Sequence, residues 1–213
     1  MNARYVAITQ RVVNASNRPE IGDYLDARWA TTLDTLGLRP LPLPNHAPSV
    51  REMLSDIPVS LLILSGGNDL ASLSNPNDAF PHRDEVERYA IALATAHEIP
   101  ILGVCRGAQL LLREMGVDPV RQSGHAGTVH SIRTVSRTPW RWPLEFSVTS
   151  HHDWVIRQES LPPSIEVLAE ADDGTVEAFR HLDERRWGMM WHPEREQPAA
   201  HGVRALKYLA GVA

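Results

Sequence analysis

The sequence predicts an α/β protein with a mainly parallel central sheet. Short apolar runs typical of strands alternate along the chain with segments of helical periodicity, and this alternation is typical of parallel sheets. The clearest unit is a buried strand over 99–104 followed by a helix over 108–115, which ends at Gly116. The chain has 213 residues, of which 43% are apolar, enough for a full core, and we expect one domain over 1–213.

The strands are predicted from short runs of β-branched and apolar residues. A run at 4–9 begins the sheet, and 39–44, in which leucine alternates with proline, fits an edge strand or an extended loop. Residues 117–142 show only a weak pattern, which indicates short strands and loops. The remaining strands are predicted at 59–64, 145–149, 165–169, 176–180 and 187–191.

The helices are predicted where apolar residues recur at a spacing of three or four. The segment 21–36 has this spacing and precedes Gly37, a typical helix end. Residues 70–82 are rich in serine, asparagine and proline and are predicted to form a loop. Further helices are expected over 50–57, 83–97 and 199–209.

Composition and charge exclude several classes of protein. The net charge is −5, from 21 basic and 26 acidic residues, so nothing favours binding to nucleic acid or an anionic membrane. A single cysteine cannot form an internal disulfide. The first residues lack the apolar core of a signal peptide, and no apolar run approaches the roughly 20 residues of a membrane span. We therefore expect a cytoplasmic enzyme.

The only cysteine, Cys105, lies at the predicted corner between the buried strand and the helix, flanked by Gly103 and Gly107. Such a corner exposes a nucleophile, and the helix N-terminus beyond it stabilises negative charge. The thiolate, which is the nucleophilic form of cysteine, is therefore favoured there.

A reactive thiol needs a base, and the base needs a group that orients it. Among ten histidines, His192 lies where a predicted strand ends, and sites gather at such ends in open α/β sheets. Glu194, two residues on, is placed to orient the imidazole. The spacing alone leaves two interpretations open: a Cys105–His192–Glu194 triad, or a small buried cysteine and an unrelated loop histidine.

Three motifs, in this order along the chain, resemble those of the class I glutamine amidotransferases. Residues 65–67 match the oxyanion turn, 103–109 match the Gly-x-Cys-x-Gly-x-Gln nucleophile elbow, and 191–194 match the His-x-Glu segment. The resemblance spans nearly the whole chain. It implies a flavodoxin-like three-layer sandwich and favours the triad over the alternative.

The resemblance also implies a role for each matching residue. Cys105 attacks the γ-carbonyl of a γ-glutamyl group, His192 transfers protons, and Glu194 orients His192. The backbone N–H groups of Gly67 and Arg106 form the oxyanion hole. A γ-glutamyl thioester forms and is hydrolysed, with no cofactor and no metal. The residues expected to bind the substrate are Gly66, Asn68, Asp69, Gln109, Ser150, His151 and His152.

Some substrate-binding assignments rest on imperfect matches. Residues 148–152 resemble a segment that binds glutamyl α-amino and carboxylate groups, but the family usually has Asn where Thr149 stands and often Gln where Asp153 stands. The paired histidines have a second interpretation, as loop residues near a strand end. Because Asp69 would repel phosphate, we expect it to contact a ribose or α-amino group or to fix the loop.

The resemblance leaves the choice of branch open. Arg106 and the paired histidines resemble the free-standing γ-glutamyl hydrolases, which cleave γ-glutamyl amines or peptides. One alternative is a glutaminase subunit that supplies ammonia to a separate synthase, and another is a non-catalytic binding module. The Arg106 side chain also has a second interpretation, as a solvated group at a helix N-terminus.

A narrower resemblance comes from five short segments, at 8–11, 64–70, 83–84, 175–179 and 191–196. Together they resemble the γ-glutamyl-CDP-amidate hydrolases of bacterial capsule biosynthesis, which release CDP-amidate for phosphoramidate modification of capsular polysaccharide. The expected partner is then a small, nucleotide-linked γ-glutamyl molecule, with γ-glutamyl-GABA-type amines as the alternative. A homodimer is compatible with the sequence.

An anionic substrate needs a local basic patch on this acidic protein. The irregular stretch offers four arginines and two histidines: Arg121, Arg133, Arg137, Arg141, His125 and His130. The other interpretation is that these are scattered, solvated side chains. Arg83 is closer to the predicted oxyanion turn.

Overall fold

The computed structural model of the chain describes residues 4–15, 17–195 and 201–212. Its strands are β1 (Arg4–Thr9), β2 (Arg11–Asn14), β3 (Ile21–Tyr24), β4 (Leu38–Leu43), β5 (Val59–Leu64), β6 (Ile101–Val104), β7 (Val120–Arg121), β8 (Ala126–Thr134), β9 (Glu145–His151), β10 (Trp154–Val155), β11 (Ile165–Ala171), β12 (Val176–His181) and β13 (Arg186–Met189). Its helices are α1 (Arg28–Thr35), α2 (Ala47–Asp56), α3 (Pro81–Ala96), α4 (Arg106–Arg113) and α5 (His201–Leu209). No helix in these ranges is long and apolar enough to cross a membrane.

A nine-stranded sheet in the described ranges confirms the predicted α/β fold. Five strands run parallel in the order β4-β1-β5-β6-β13, which is the 2-1-3-4-5 order of flavodoxin-like sheets. Beyond β13 the sheet continues through β12, β11, β8 and β9, and each of these pairs is antiparallel. The strand 39–44 is confirmed as the edge strand β4, where proline costs few ladder hydrogen bonds.

Helices cover both faces of the sheet and give the expected three layers. Helices α2, α3 and α4 contribute to one apolar cluster, whereas α1 and α5 contribute to the other. Strand β1 shows why both clusters form, because side chains alternate across a strand. Its Ala7 belongs to the first cluster, and Val6 and Ile8 belong to the second.

The predicted helix over 21–36 is wrong in its first half. Residues 21–24 form β3, which pairs with β2 in an antiparallel hairpin, and the helix begins only at Arg28. Ile21 counted as an inner-face residue in the helical pattern, yet 73% of it is exposed. At the true helix start, an Asp26 oxygen accepts the Arg28 backbone N–H at 3.0 Å.

Two other regions differ from the expected elements. The weak pattern at 117–142 contains β8, a nine-residue strand that pairs with both β9 and β11. Its alternation is obscured because most of its side chains are exposed or half-buried. The closing helix is α5; residues 199 and 200, where it was predicted to begin, lie outside the described residues.

Two glycines allow the corner between β6 and α4 to pack tightly. A Cβ atom on Gly107 would lie 2.1 Å from the Leu64 carbonyl oxygen, and one on Gly103 would lie 2.6 Å from backbone atoms of Gly107 and Ala108. Only glycine therefore lets α4 approach β5 and β6 so closely. This contact places Cys105 at the carboxyl edge of the parallel strands, where ligands bind in such sheets.

Candidate active site

Cys105 occupies a strained corner at the start of α4. Its backbone has φ 52° and ψ −107°, a positive φ that non-glycine residues seldom adopt. Its own N–H donates to the Met189 carbonyl at 2.8 Å, which ties the corner to β13. The thiol is free and 7% exposed. The next amide, that of Arg106, opens α4 and so has no acceptor four residues earlier in the helix.

The structure brings His192 and Glu194 to the same corner. Strands β6 and β13 are parallel neighbours, so the segments that follow them leave the sheet at the same edge. His192 Nδ1 lies 2.7 Å from Glu194 Oε1, and both side chains are buried. A Cβ on Gly66 would lie 2.6 Å from His192 Cε1 and 3.5 Å from Cys105 Cβ, so the three residues are in close contact.

The electrostatics of this group favour a charged imidazole. Burial opposes a charge on His192, but hydrogen bonds to the Cys105 and Glu194 side chains and the charges of both groups outweigh it, raising the pKa from 6.5 to about 9. At neutral pH His192 is therefore an imidazolium beside the thiol. This is the arrangement that activates cysteine nucleophiles.

The 65–67 turn, the predicted oxyanion turn, is held by one buried guanidinium. Arg83 donates to the carbonyl oxygens of Ser65, at 2.9 Å, of Gly66, at 3.3 Å, and of Gly67. In a planar trans peptide the N–H points opposite to the preceding carbonyl. Because the Gly66 carbonyl points at Arg83, the Gly67 N–H points away from that guanidinium.

Arg83 belongs to a buried network of two arginines and two carboxylates. Arg83 Nε lies 3.0 Å from Glu87 Oε1, and Arg106 forms ion pairs with both Glu87 and Asp84. All four side chains are at most 3% exposed. Burial acts to raise the pKa of Glu87, but the charges of Arg106 and Arg83 outweigh it and hold that pKa below its usual value. The interpretation of Arg106 as a solvated side chain is wrong.

A cavity of about 170 Å³ opens beside Cys105 and contains several predicted substrate-binding residues. Gln109, His151 and His152 line it. Gln109 Nε2 donates to the Trp154 carbonyl at 3.2 Å, and the His151 ring lies 5.9 Å from that of His192. Burial lowers the pKa of His152 to about 4, so its ring is neutral at physiological pH. Because the resemblance predicts that these residues bind the glutamyl group, we refer to this space as the glutamyl cavity.

The predicted binding residues of the 66–69 turn serve mainly to fix it. Asn68 Oδ1 accepts from the Val12 N–H at 2.8 Å and from Arg83 at 2.9 Å. Asp69 accepts the Asn77 N–H at 2.7 Å, and its own N–H donates to Asp78. Of the roles expected for Asp69, loop fixing is therefore observed. Both residues also line the glutamyl cavity.

A second cavity, of about 230 Å³, is lined by the 65–67 turn together with His192 and Glu194. Three arginines line it as well: Arg11 and Arg28 from the N-terminal segment, and Arg195. The Arg11 guanidinium lies 4.7 Å from the centre of the Tyr24 ring. We refer to this space as the arginine cavity.

Sequence reasoning missed part of this machinery. The arginine cavity depends on the β2–β3 hairpin. This hairpin was missed because a helix was predicted over 21–36. Glu87 was also missed, although its spacing of four from Arg83 on one helix was a signal for a buried pair. Conversely, Ser150 is fully buried, and its Oγ lies 3.0 Å from His130 Nε2 rather than in the glutamyl cavity.

The side chains proposed as a basic patch do not form one. Arg133 pairs with Glu170, and Arg137 and Arg141 line a groove with Trp142. Arg121 lies on the two-residue strand β7. His125 and His130 point inward, toward the buried Glu177. The alternative interpretation, that these are scattered side chains and not a basic patch, therefore fits this stretch better.

Comparison with known proteins agrees with this geometry. The model of the family described as Peptidase C26 matches residues 6–194. The chain belongs to the peptidase C26 family. It is 32% identical over 207 residues to the gamma-glutamyl-CDP-amidate hydrolase of Campylobacter jejuni, covering 95% of this chain and 96% of that protein. Family membership and this relative identify the chain as an amide hydrolase.

A relative named for a different function and a solved structure are also similar to this chain. The chain is 27% identical over 191 residues to a glutamine-hydrolyzing GMP synthase subunit of Pyrococcus furiosus, covering 90% of this chain and 94% of that one. The crystal structure of a putative GMP synthase subunit from Thermoplasma acidophilum superposes with a TM-score of 0.74 at 19% identity, covering 99% and 94% of the two chains. These likenesses confirm the amidotransferase-like fold that the sequence predicted.

The buried ion network predicts a large effect of Arg106→Met on stability. The substitution leaves Asp84 and Glu87 with one cation fewer inside the protein, and removal of one partner from a buried network costs about 3–5 kcal/mol. The control is Arg88→Met, which removes a more exposed pair with Glu114 and should cost less than about 1 kcal/mol. Urea denaturation measures both. Equal losses in the two variants would contradict the buried-network interpretation.

The electrostatics of His192 predict its titration. In the folded protein its ring should titrate near pH 9 instead of 6.5, as measured by NMR of histidine-labelled protein and assigned with His192→Gln. Because the pKa is raised, the interaction stabilises the fold fully below pH 6.5 and ceases to do so as the pH rises through about 9. Glu194→Gln should lower this pKa, since it removes the negative partner. An unchanged value in that variant would show that Glu194 does not act on the ring.

Proposed function

We propose that this protein hydrolyses a γ-glutamyl amide bond through a covalent thioester on Cys105. The contact of Cys105, His192 and Glu194 at one edge of the sheet carries the proposal. A thiol, a buried imidazolium and a carboxylate 2.7 Å from that ring supply a nucleophile, an acid–base and its orienting group. The family and its hydrolase relative support the same reaction class.

The chemistry follows from the positions of the groups. The Cys105 thiolate attacks the γ-carbonyl carbon, and the Gly67 and Arg106 N–H groups donate to the developing oxyanion. A donor in such a hole contributes about 3–4 kcal/mol to the transition state. As the C–N bond breaks, the His192 imidazolium gives its proton to the leaving nitrogen, and the acyl group remains as a thioester. His192 then takes a proton from water, which attacks the thioester, and glutamate leaves as the thiolate is restored.

The two cavities divide the substrate at the scissile bond. The glutamyl cavity contains three carboxylates, of Asp69, Asp78 and Asp153, which suit an α-ammonium group. The arginine cavity adjoins His192, the residue that protonates the leaving nitrogen, and so is the place for the leaving group. Within the described part of the chain, Arg11 forms no ion pair with a carboxylate. Asp26 and Glu194 also line this cavity and pair with Arg28 and Arg195, so Arg11 is the charge available to an anionic leaving group.

These features favour γ-glutamyl-CDP-amidate as the substrate. Its leaving group carries phosphates, which the arginines would bind. It also carries a base and a ribose, which would contact the remaining surface of the cavity. The product, CDP-amidate, would donate the phosphoramidate group to a capsular polysaccharide. The relative from Campylobacter jejuni bears this substrate in its name and aligns with 95% of the chain.

Glutamate release from a panel of γ-glutamyl amides tests the proposal. We expect γ-glutamyl-CDP-amidate to react much faster than glutamine or γ-glutamyl-GABA, and Cys105→Ala to reduce turnover by at least about 10⁴-fold without loss of the fold. Circular dichroism of that variant is the control. Activity retained by Cys105→Ala would eliminate the thioester, whereas equal rates across the panel would eliminate only the nucleotide-linked substrate.

The likeness to the GMP synthase subunits supports a second candidate function, that of a glutaminase serving a separate synthase. The same panel separates the two. A glutaminase of that kind would prefer glutamine, and its activity would rise when the synthase is added. A free-standing hydrolase reaches full activity alone.

The arginine cavity predicts a substrate-dependent effect of Arg11→Gln. Loss of a charge-assisted contact to phosphate costs about 1.5–3 kcal/mol, so KM for γ-glutamyl-CDP-amidate should rise by at least about tenfold. KM for γ-glutamyl-p-nitroanilide, whose leaving group is uncharged, should change little. Arg39→Gln, on the edge strand β4, is the matched control because Arg39 does not line the cavity. Equal effects on both substrates would remove Arg11 from leaving-group recognition.

A further inference from the structure

A cluster of buried histidines surrounds a glutamate in the antiparallel half of the sheet. Glu177 on β12 is fully buried. It is approached by His125, just before β8, by His130 on β8 and by His152, just after β9. The rings are packed together, with centroids 4.9 Å apart for His125 and His130 and 5.1 Å apart for His125 and His152. We call these four residues the histidine cluster. The proposed reaction uses none of their ionisable atoms.

The polar atoms of the cluster are poorly satisfied by the protein. Among the described residues, neither carboxylate oxygen of Glu177 has a hydrogen-bond partner within normal distance. The same holds for Nδ1 of His125 and for both ring nitrogens of His152. Three imidazole nitrogens lie 3.5–3.8 Å from Glu177 Oε1 and replace its lost hydration only in part, which is costly for a buried carboxylate. Such a group in a native protein calls for a ligand.

The distances within the cluster suit a metal ion better than hydrogen bonds. Glu177 Oε1 lies 3.5 Å from His125 Nδ1, 3.5 Å from His130 Nε2 and 3.8 Å from His152 Nε2. The ligand atoms of His125, His130 and Glu177 all lie within 4.8 Å of one another. Ligands bound tetrahedrally to zinc at about 2.0–2.1 Å are separated by about 3.4 Å. Small movements of the His125 and His130 rings would bring these three ligands to that spacing, and a larger movement of His152, which is not among the three, would complete a tetrahedral set.

The surroundings of His125 match those of a metal-binding histidine. Its Nδ1 faces Glu177, while its Nε2 lies 2.9 Å from an oxygen of Asp173. A carboxylate on the far nitrogen orients the ring and sets the tautomer in many metal sites. The surroundings of His130 match a metal ligand less closely, because its Nε2 also lies 3.0 Å from the Ser150 hydroxyl.

We propose that Glu177, His125 and His130 bind one divalent transition-metal ion, with zinc as the best match, and that His152 supplies the fourth ligand. Three imidazoles and one carboxylate are a donor set that zinc accepts. None of these ligands belongs to the Cys105, His192 and Glu194 group, and the metal takes no part in the hydrolysis. The proposal is independent of which amide the enzyme cleaves.

A metal there would fix one wall of the glutamyl cavity. His152 follows β9, lines that cavity and is next to His151, whose ring contacts that of His192. Glu177 is joined to the same region by its carbonyl, which accepts the Met190 N–H at 2.8 Å. An ion held by both residues would lock the end of β9 to β12. Its role would be structural.

Metal titration of the Cys105→Ala protein tests the proposal. This background is chosen because a thiolate beside a histidine can itself bind zinc. The full chain, dialysed against a chelator, should bind one Zn²⁺ per molecule by calorimetry, and its thermal midpoint should rise on binding. Co²⁺ in place of Zn²⁺ should give the intense visible absorption of a tetrahedral site.

Three further substitutions in this background make the test specific. Glu177→Gln, nearly the same size and uncharged, should weaken Zn²⁺ binding by more than about 100-fold, and Asp173→Asn by about 10–100-fold. His97→Gln removes an exposed histidine outside the cluster and should leave affinity unchanged. His130→Gln replaces Glu177→Gln if that variant does not fold. Absence of zinc binding in Cys105→Ala, or equal affinity after Glu177→Gln, would overturn the proposal.

Discussion

The ion network of Arg83, Asp84, Glu87 and Arg106 is the constraint on which the site depends. Arg83 donates hydrogen bonds to the carbonyls of the 65–67 turn, and Arg106 directly follows Cys105 at the start of α4. Glu87 bridges the two, so the turn and the start of α4 are fixed relative to each other. The two oxyanion donors proposed for the reaction come from these two segments. A buried network serves this purpose because its geometry cannot relax into water.

Close backbone packing complements the network. Cys105 keeps a positive φ because its N–H is bonded to β13 and because α4 is pressed onto β5 and β6 at glycines. Gly66 leaves room for the His192 ring beside the thiol. The fold thus stabilises a strained corner that would be unfavourable alone, as expected where strain positions a reactive group.

The antiparallel half of the sheet contains a second group of buried polar side chains, in addition to the ion network. Strands β8, β9, β11 and β12 enclose Glu177 and its histidines, and the end of β9 lines the glutamyl cavity. The β2–β3 hairpin contributes Arg11 and Tyr24 to the arginine cavity. Each cavity thus combines residues of the parallel core with residues of an element added to it.

The sequence by itself determined the parallel core, the corner that carries Cys105 and the order of the three motifs, because strand runs, glycines and local spacing encode them directly. It also pointed to His192 and Glu194, two residues apart on one short segment, as candidates for a base and its orienting group. Only the tertiary structure decided that Arg106 is buried, that residues 21–24 form a strand, and that His125 and His130 face Glu177. These features depend on contacts between residues distant along the chain, such as the 19 positions from Glu87 to Arg106, and local patterns do not record such contacts.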